Sequence, residues 1–257
     1  MPLLEVCGIR RRFGGLLALD QVSFQVERGQ IAAVIGPNGA GKTTLFNIIS
    51  GALPADAGQV RLDGRELRGW PPYRIAASGV SRTFQNPSLF LRMSALENVM
   101  IGRHCRTRGG FLSAALRLPG QRREEAAIRA AAAAELERVG LTALADTPVA
   151  ALSFGQRRMA ELARALATDP RLLLLDEPAS GLNTRETADL AQLILRIRDR
   201  GVTVLLVEHD MSLVMEITDH ILVLNYGKPI AAGPPAAIRD HPAVIAVYLG
   251  GDFHAAG

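Results

Sequence analysis

The chain has 257 residues, of which 48% are hydrophobic and 21% are charged, and its formal net charge is +4. A chain of this length buries roughly 70 to 75% of its unfolded surface, which excludes extensive disorder and predicts one large or two small globular domains. Only 5% of the residues are aromatic, so the predicted core is aliphatic, as in a mostly parallel sheet flanked by Ala-rich helices.

Compartment and bound metals are constrained mainly by what the sequence lacks. The longest apolar runs are far shorter than the ~18 residues of a membrane-spanning helix, and the first residues do not resemble a secretory signal, so a cytoplasmic protein is predicted. Cys7 and Cys105 share no metal-ligand spacing with the histidines. This argues against a zinc site or a disulfide framework and predicts two buried thiols.

The first third of the chain predicts strands that lead into a glycine-rich loop. Residues 3–13, 19–29 and 30–36 each read as a strand, and the third is continuously apolar and therefore buried. It ends in GPNGAGKTT, after which apolar residues recur at helical spacing up to Gly51. A hairpin with an Asp63-Gly64 turn is predicted next.

Beyond residue 87 the pattern is first helical and then alternating. Residues 88–154 contain no convincing strand pattern and include a long Ala-rich segment that ends at Gly140, so they predict a helical subdomain. From residue 154 onward, helix and strand patterns alternate. We therefore expect an α/β fold with a mostly parallel sheet, in which residues 1–87 and 155–257 form the core and residues 88–154 are an insertion.

The glycine-rich loop carries the first chemical motif, because residues 36–43 (GPNGAGKT) match G-x-x-x-x-G-K-[ST] between a predicted strand and a predicted helix. In such a loop the backbone N–H groups and the helix N-terminus bind phosphate. Lys42 then reaches the β- and γ-phosphates, and the Thr43 hydroxyl is placed for Mg²⁺. The predicted nucleoside triphosphate site includes Gly36, Asn38, Gly39, Ala40, Gly41, Lys42, Thr43 and Thr44.

A second motif is formed by residues 172–178 (LLLLDEP), in which two carboxylates follow an apolar strand. Ligands of open α/β sheets bind at the carboxyl ends of the strands. We expect Asp176 to hold Mg²⁺ through water and Glu177 to polarise the attacking water.

Taken in order, these motifs resemble the nucleotide-binding subunits of ABC transporters. The resemblance extends along almost the whole chain and includes a string of the LSxGQ type ahead of the acidic pair. The residues that carry it are Lys42, Gln85 in RTFQ, residues 152–156 (LSFGQ), Asp176, Glu177 and His209. The resemblance implies the P-loop NTPase fold of one ATP-binding cassette over residues 1–257, with an N-terminal antiparallel β subdomain.

The resemblance also implies roles for individual residues. Phe13 stacks on the adenine ring, Gln85 contacts Mg²⁺ and the attacking water, and His209 contacts the γ-phosphate. The signature residues Ser153, Gly155 and Gln156 are offered to the nucleotide of a second cassette, so that hydrolysis requires a dimer. The implied catalytic set is Lys42, Gln85, Glu177 and His209, and the implied Mg²⁺ set is Thr43, Gln85 and Asp176.

Two residues depart from the commoner family pattern and point to one subgroup of the family. Phe154 stands where glycine is usual in the signature, and Asn183 stands where the D-loop more often ends in Asp. The aromatic signature is similar to ATP-binding subunits of branched-chain amino acid importers, and so are residues 96–104, 208–215, 223–231 and 241–250. Related cassettes that serve urea or short amides share many of these features.

The implied partners are two transmembrane permease subunits and a second ABC ATPase subunit, with a heterodimer favoured over a homodimer. A periplasmic substrate-binding protein acts indirectly, and the expected location is the cytoplasmic face of the inner membrane. A groove near residues 86–98, including Arg92 and Glu97, would receive a permease helix. A soluble ABC ATPase acting on nucleic acid is the alternative that the basic charge suggests, but one cassette without sustained heptads argues against a nucleic-acid partner.

Overall fold

The computed structural model describes residues 1–83, 88–103 and 119–249, and in these ranges ten strands form two sheets. The smaller sheet is antiparallel and consists, in spatial order, of β2 (Leu16–Val26), β1 (Leu4–Phe13), β4 (Ala57–Leu62) and β5 (Arg65–Glu66). The larger sheet consists, in spatial order, of β10 (Lys228–Gly233), β9 (His220–Asn225), β3 (Ile31–Ile35), β8 (Thr203–Val207), β7 (Leu172–Asp176) and β6 (Val80–Arg82).

All neighbouring strands of the larger sheet pair in parallel except β10, which is antiparallel to β9. The predicted α/β fold with a mostly parallel sheet is therefore confirmed. The helices of the described ranges are α1 (Lys42–Ile49), α2 (Pro72–Ala77), α3 (Ala95–Gly102), α4 (Pro119–Arg138), α5 (Phe154–Leu166), α6 (Thr184–Asp199), α7 (Met211–Ile217), α8 (Pro235–Arg239) and α9 (Pro242–Leu249). Within those ranges, no helix combines the length and the apolar character that crossing a membrane requires.

The central strand β3 belongs to two buried clusters because its side chains alternate between the two faces of the sheet. Ile31, Ala33 and Ile35 pack in one cluster with α3, α4, α5 and α6. Ala32 and Val34 pack in the other, between the parallel sheet, α1 and the antiparallel sheet. Every residue of β3 is buried, as its continuous apolar sequence predicts.

The helices of the predicted insertion are not a separately packed unit. Leu96 and Val99 of α3 and Leu136 of α4 share one buried cluster with Ile31 and Ile35 of the sheet. The division at residues 88 and 154 therefore stays a prediction, since the apolar packing is continuous across it.

Two local predictions have different outcomes. The Asp63-Gly64 turn is confirmed, because Leu62 pairs with Arg65 across it and both turn residues have positive φ. The prediction of a buried Cys7 is wrong, since this thiol is exposed. Val6 faces inward on β1, and strand alternation turns the next residue to the outer surface of the sheet. Cys105 lies outside the described residues.

Candidate nucleotide-binding site

The glycine-rich loop connects β3 to α1 and lies tightly against two neighbouring strands. Gly36 has a φ of 148°, and a Cβ atom there would lie 2.1 Å from the carbonyl oxygen of Leu224. Gly41 has a φ of 102°, and its Cβ would lie 2.6 Å from the carbonyl oxygen of Ala18. Only glycine satisfies both the backbone angle and the close approach at these positions.

The N-terminus of α1 is left open toward the loop. Gly41 is the N-cap residue, and no side chain in the described ranges caps the first turn. The N–H groups of a first turn have no partner within their own helix. Together with the positive end of the helix dipole, they favour an anion at this position.

Lys42 holds a buried positive charge at the start of α1. Its Nζ donates to the carbonyl oxygens of Gly36 at 2.6 Å and Pro37 at 2.9 Å. Burial lowers the pKa of the Lys42 ammonium, while the carboxylates of Glu177 and Asp176 oppose that shift. The loop carbonyls and both carboxylates of LLLLDEP thus surround the same ammonium.

Asp176, the last residue of β7, is fixed by an ion pair that no sequence motif indicates. Arg82 of β6 donates from Nη2 to Asp176 Oδ2 at 2.8 Å, and both side chains are buried. The same guanidinium donates from Nη1 to Asn47 Oδ1 of α1 at 2.7 Å. Because β6 and β7 are neighbouring parallel strands, the register that pairs Arg82 with Leu174 brings the guanidinium close to Asp176.

Glu177 and His209 meet where β7 and β8 end. Their side chains approach to 3.0 Å between Glu177 Oε1 and His209 Nε2. Glu177 has a φ of 48°, and its N–H donates to the carbonyl oxygen of Val207 at 2.9 Å. A non-glycine residue in this left-handed conformation is uncommon and is typical of functional sites. The turn directs the carboxylate toward the histidine.

Glu208 is a buried carboxylate that is not among the residues predicted from the motifs. Its Oε1 accepts the N–H of Ala179 at 2.7 Å, and its Oε2 accepts the N–H of His209 at 2.8 Å. These bonds hold together the two segments that carry Glu177 and His209. Its position directly after the buried strand β8 is the signal that could have indicated it, since a buried carboxylate needs hydrogen-bond donors.

One cavity of about 350 Å³ is lined by the glycine-rich loop, by Phe13 and by the Glu177–His209 pair. Phe13 lines it with an exposed ring, and the Arg11 guanidinium lies 4.9 Å from the ring centroid. Gln85 lies outside the described residues, and Asp176 is not among the lining residues. The predicted residues that line the cavity are Phe13, Asn38, Gly39, Ala40, Gly41, Lys42, Thr43, Thr44, Glu177 and His209.

The signature residues line a different cavity, of about 560 Å³, which shares no lining residue with the first. Ser153 is the N-cap of α5, where its Oγ accepts the N–H of Gln156 while Gln156 Oε1 accepts the N–H of Ser153. Gly155 lies close to Glu186, because a Cβ atom there would be 2.7 Å from Glu186 Oε1. The chain thus keeps Ser153, Gly155 and Gln156 apart from its own P-loop cavity.

The two unusual residues have structural neighbours within this chain. The exposed Phe154 ring lies against Gly181, where a Cβ atom would be 2.7 Å from the ring. Asn183 is the N-cap of α6, and its Oδ1 accepts the N–H of Glu186 at 3.0 Å. The acceptor oxygen that Asn shares with Asp is therefore used by the fold.

Residues 19–180 match the ABC transporter family. The chain belongs to this family. Residues 228–254 also match the family described as branched-chain amino acid ATP-binding cassette transporters.

Individual relatives agree over nearly the full length. The high-affinity branched-chain amino acid transport ATP-binding protein BraF of Pseudomonas aeruginosa is 50% identical over 97% of this chain and 98% of its own. The corresponding protein LivG of Escherichia coli (strain K12) is 44% identical over the same shares. The ADP conformation of MJ1267, an ATP-binding cassette of an ABC transporter, superimposes with a TM-score of 0.84 at 32% identity, over 97% of this chain and 99% of that one.

These matches confirm the predicted P-loop ATPase fold and make the cassette an ATPase that is coupled to transmembrane transport. The two cavities of this cassette present different groups. One cavity holds the charged groups around the P-loop, and the other presents the start of α5.

Proposed function

We propose that this cassette is the energy-coupling subunit of an importer for branched-chain amino acids. The observation that carries the proposal is the agreement of residues 228–254 with the branched-chain family, beyond the part common to ABC transporters. Near-complete coverage of relatives that are named as branched-chain transport proteins supports the same substrate class.

In this proposal the P-loop cavity binds ATP together with Mg²⁺. The open N-terminus of α1 and the close-packed glycines suit a phosphate chain. The Thr43 hydroxyl and the Asp176 carboxylate are oxygen donors, which Mg²⁺ prefers, and Arg82 fixes the carboxylate. Bound Mg²⁺ would neutralise part of the negative charge of the phosphates. Gln85 completes the proposed set from outside the described residues.

Hydrolysis is assigned to the pair at the ends of β7 and β8. Glu177 polarises the attacking water and accepts its proton, and His209, whose Nε2 lies 3.0 Å from Glu177 Oε1, contacts the γ-phosphate. Lys42 balances charge on the terminal phosphates, since its ammonium is buried and already near both carboxylates. Phe13 is the aromatic surface for the base, because its exposed ring lines the same cavity.

A second cassette completes the site in this proposal. The separation of the signature cavity from the P-loop cavity supports an arrangement in which Ser153, Gly155 and Gln156 face a partner's nucleotide. We infer a heterodimer with a different cassette, two permease subunits and a periplasmic binding protein that delivers the substrate. The complex lies on the cytoplasmic face of the inner membrane.

Reconstitution with the permease subunits, the second cassette and the binding protein tests the substrate. We expect ATP-dependent uptake of labelled leucine, isoleucine and valine, and no uptake in the matched complex that carries Glu177→Gln in this cassette and the equivalent change in the second one. Uptake of urea or acetamide in place of the three amino acids would reject the substrate assignment while leaving the ATPase assignment intact.

The permease is proposed to dock near residues 88–98. Phe90, Leu91 and Arg92 are exposed there, and Asn98 holds the segment by accepting the N–H of Phe90 at 2.8 Å and donating to the carbonyl oxygen of Ser94 at 2.9 Å. An exposed apolar pair on a well-held segment is typical of a protein contact.

Arg92→Glu tests this docking surface. We expect transport in the reconstituted complex to fall more than the basal ATPase rate, because the changed side chain is exposed and away from the nucleotide cavity. Glu97 is a less suitable position for charge reversal, since its Oε2 accepts the N–H of Ser94 in a capping box. Arg65→Glu makes the same charge change at an exposed position of β5, outside residues 88–98, and is the matched control. Equal loss of transport and ATPase in Arg92→Glu would contradict the assignment.

A further inference from the structure

Two hairpins of this chain turn through the same two-residue geometry with different residues. Asp63 and Gly64 have φ angles of 53° and 74°, and Tyr226 and Gly227 have φ angles of 45° and 77°. Each turn is closed by a strand pair, Leu62 with Arg65 and Asn225 with Lys228. Such turns favour Asn, Asp or Gly at the first position, because a side chain is disfavoured at positive φ.

Asp63-Gly64 follows this rule and Tyr226-Gly227 breaks it. A tyrosine at positive φ carries conformational strain, and burial does not compensate for it, since Tyr226 is 85% exposed. The adjacent Gly227 is required, because a Cβ atom there would lie 2.6 Å from the carbonyl oxygen of Ala18. The unexplained residue of the turn is therefore the tyrosine.

The turn is anchored directly to the nucleotide-binding elements. Gly227 donates its N–H to the carbonyl oxygen of Ala40 in the P-loop at 3.0 Å. Its own carbonyl oxygen accepts the N–H of Asp20 on β2 at 2.8 Å. Lys228 adds an ion pair to Asp20 at 3.5 Å. These bonds fix the position of the tyrosine relative to the loop.

Tyr226 also lines the P-loop cavity, together with Phe13 and Leu16, which come from the hairpin of β1 and β2. All three are large apolar side chains with exposed surfaces. They form an apolar rim around a cavity whose floor is the phosphate-binding loop. A planar aromatic base joined to a phosphate chain has the matching chemistry, since one end is apolar and the other is anionic.

We propose that Tyr226 is a second aromatic contact for the base of the nucleotide bound at this chain's own P-loop. The strained turn is retained because it positions the ring over the cavity. The inference rests on the proposed binding of ATP at the P-loop and adds a determinant of base affinity to it. Tyr226 is thus a binding residue for the nucleotide and takes no part in the hydrolysis itself.

Tyr226→Asn separates this role from a structural one, because it creates the favoured Asn-Gly turn and removes the ring. In the ligand-free full-length protein we expect the Tm to rise by about 2 °C, because asparagine tolerates the positive φ of this position better than tyrosine does. We expect ATP to bind about 3- to 10-fold more weakly, the scale of one aromatic contact. Binding of inorganic tripolyphosphate, which has no base, should be unchanged.

Two further variants act as controls in the same calorimetric titrations. Tyr226→Phe keeps the ring and should retain wild-type affinity for ATP. Tyr73→Ala removes another highly exposed tyrosine, on α2, that does not line the P-loop cavity, so it should leave both affinities unchanged.

Unchanged ATP affinity in Tyr226→Asn would overturn the proposal. Equal weakening of ATP and tripolyphosphate would overturn it as well, because the turn would then position the P-loop and not the base. Normal ATP affinity with loss of ATP-dependent cassette dimerisation would instead assign the ring to the partner subunit and reject base contact. Failure of the wild-type protein to bind either ligand would reject the proposed ATP site itself, which is a distinguishable result.

Discussion

The P-loop cavity and the signature cavity differ in what their side chains contribute. The first is formed by tightly packed glycines, the buried Lys42 and the Glu177–His209 pair. The second is formed around a capped helix start, where Ser153 and Gln156 bond each other's backbone. The chain therefore places the reacting charges around the P-loop, whereas the signature cavity combines a capped helix start with charged side chains of both signs, among them Arg138, Glu186 and Arg196.

The two cavities are nevertheless linked through the segment that follows β7. The carbonyl oxygen of Glu177 accepts a hydrogen bond from Arg158 of α5 at 3.3 Å. Further along, Gly181 lies under the Phe154 ring and Glu186 approaches Gly155. The Arg158 guanidinium also lies 5.6 Å from the Phe154 ring centroid. A change at one cavity therefore has a short path through packed groups to the other.

Adding one methyl group should destabilise the P-loop region far more than the signature region. Gly36→Ala in the P-loop is expected to have the largest effect of all. Its Cβ would meet a backbone carbonyl oxygen at 2.1 Å at a φ of 148°, which predicts a loss of about 2 to 4 kcal/mol in the free energy of unfolding together with loss of ATP binding. Urea unfolding and calorimetric titration measure both. A stable variant with normal ATP affinity would contradict the described packing of the loop.

Glu177→Gln should have the next largest effect, and only on the reaction. We expect kcat for ATP hydrolysis to fall at least about tenfold, because the amide cannot accept the proton of water, while ATP binding is retained. Steady-state phosphate release and nucleotide titration check the two halves of this prediction. Glu216→Gln, an exposed carboxylate on α7, is the control and should be unchanged. Wild-type turnover in Glu177→Gln would move the general base elsewhere.

Asn183→Ala tests the structural use of the unusual D-loop residue near the signature. Loss of the N-cap bond to Glu186 at 3.0 Å should cost about 1 kcal/mol of the free energy of unfolding. Asn183→Asp keeps the acceptor oxygen and adds a favourable charge at the start of α6, so it should be as stable as the wild type or slightly more stable. Equal destabilisation by Ala and Asp would exclude capping as the reason.

Gly155→Ala should have the smallest effect on folding. Its Cβ would meet Glu186 Oε1, and displacing this side chain loses at most the hydrogen bond that Glu186 Oε2 accepts from the N–H of Asn183. We expect less than about 1 kcal/mol of destabilisation and normal ATP binding to the single chain. Comparing its unfolding curve with that of Gly36→Ala shows whether the two regions tolerate a methyl group differently. Destabilisation equal to that of Gly36→Ala would remove the contrast between them.

Much of the fold could be predicted because apolar runs and turn residues act locally. The strands β3, β7 and β8 are continuous apolar runs in the sequence, and Asp63-Gly64 marks its hairpin. The P-loop and the acidic pair were recognisable because their chemistry needs short, fixed spacings.

The remaining site contacts depend on tertiary structure. Arg82 and Asp176 are distant in the chain, and only the pairing of β6 with β7 brings them together. The role of Glu208 depends on its accepting the backbone N–H groups of Ala179 and His209, which only the folded chain brings close to it. The exposure of Cys7 depends on which face of β1 is covered, which strand propensity alone does not specify.

The bonds of Lys42 have a consequence for turnover. Its ammonium already has two acceptors within the loop, the carbonyl oxygens of Gly36 and Pro37. A phosphate that takes this ammonium must compete with both, so the loop lowers the net gain from binding. When the product leaves, the Lys42 ammonium donates to the same carbonyl oxygens again, so it is never buried without a hydrogen-bond partner. The loop carbonyls thus compete with the bound phosphate for Lys42, which lowers affinity and favours release of the product.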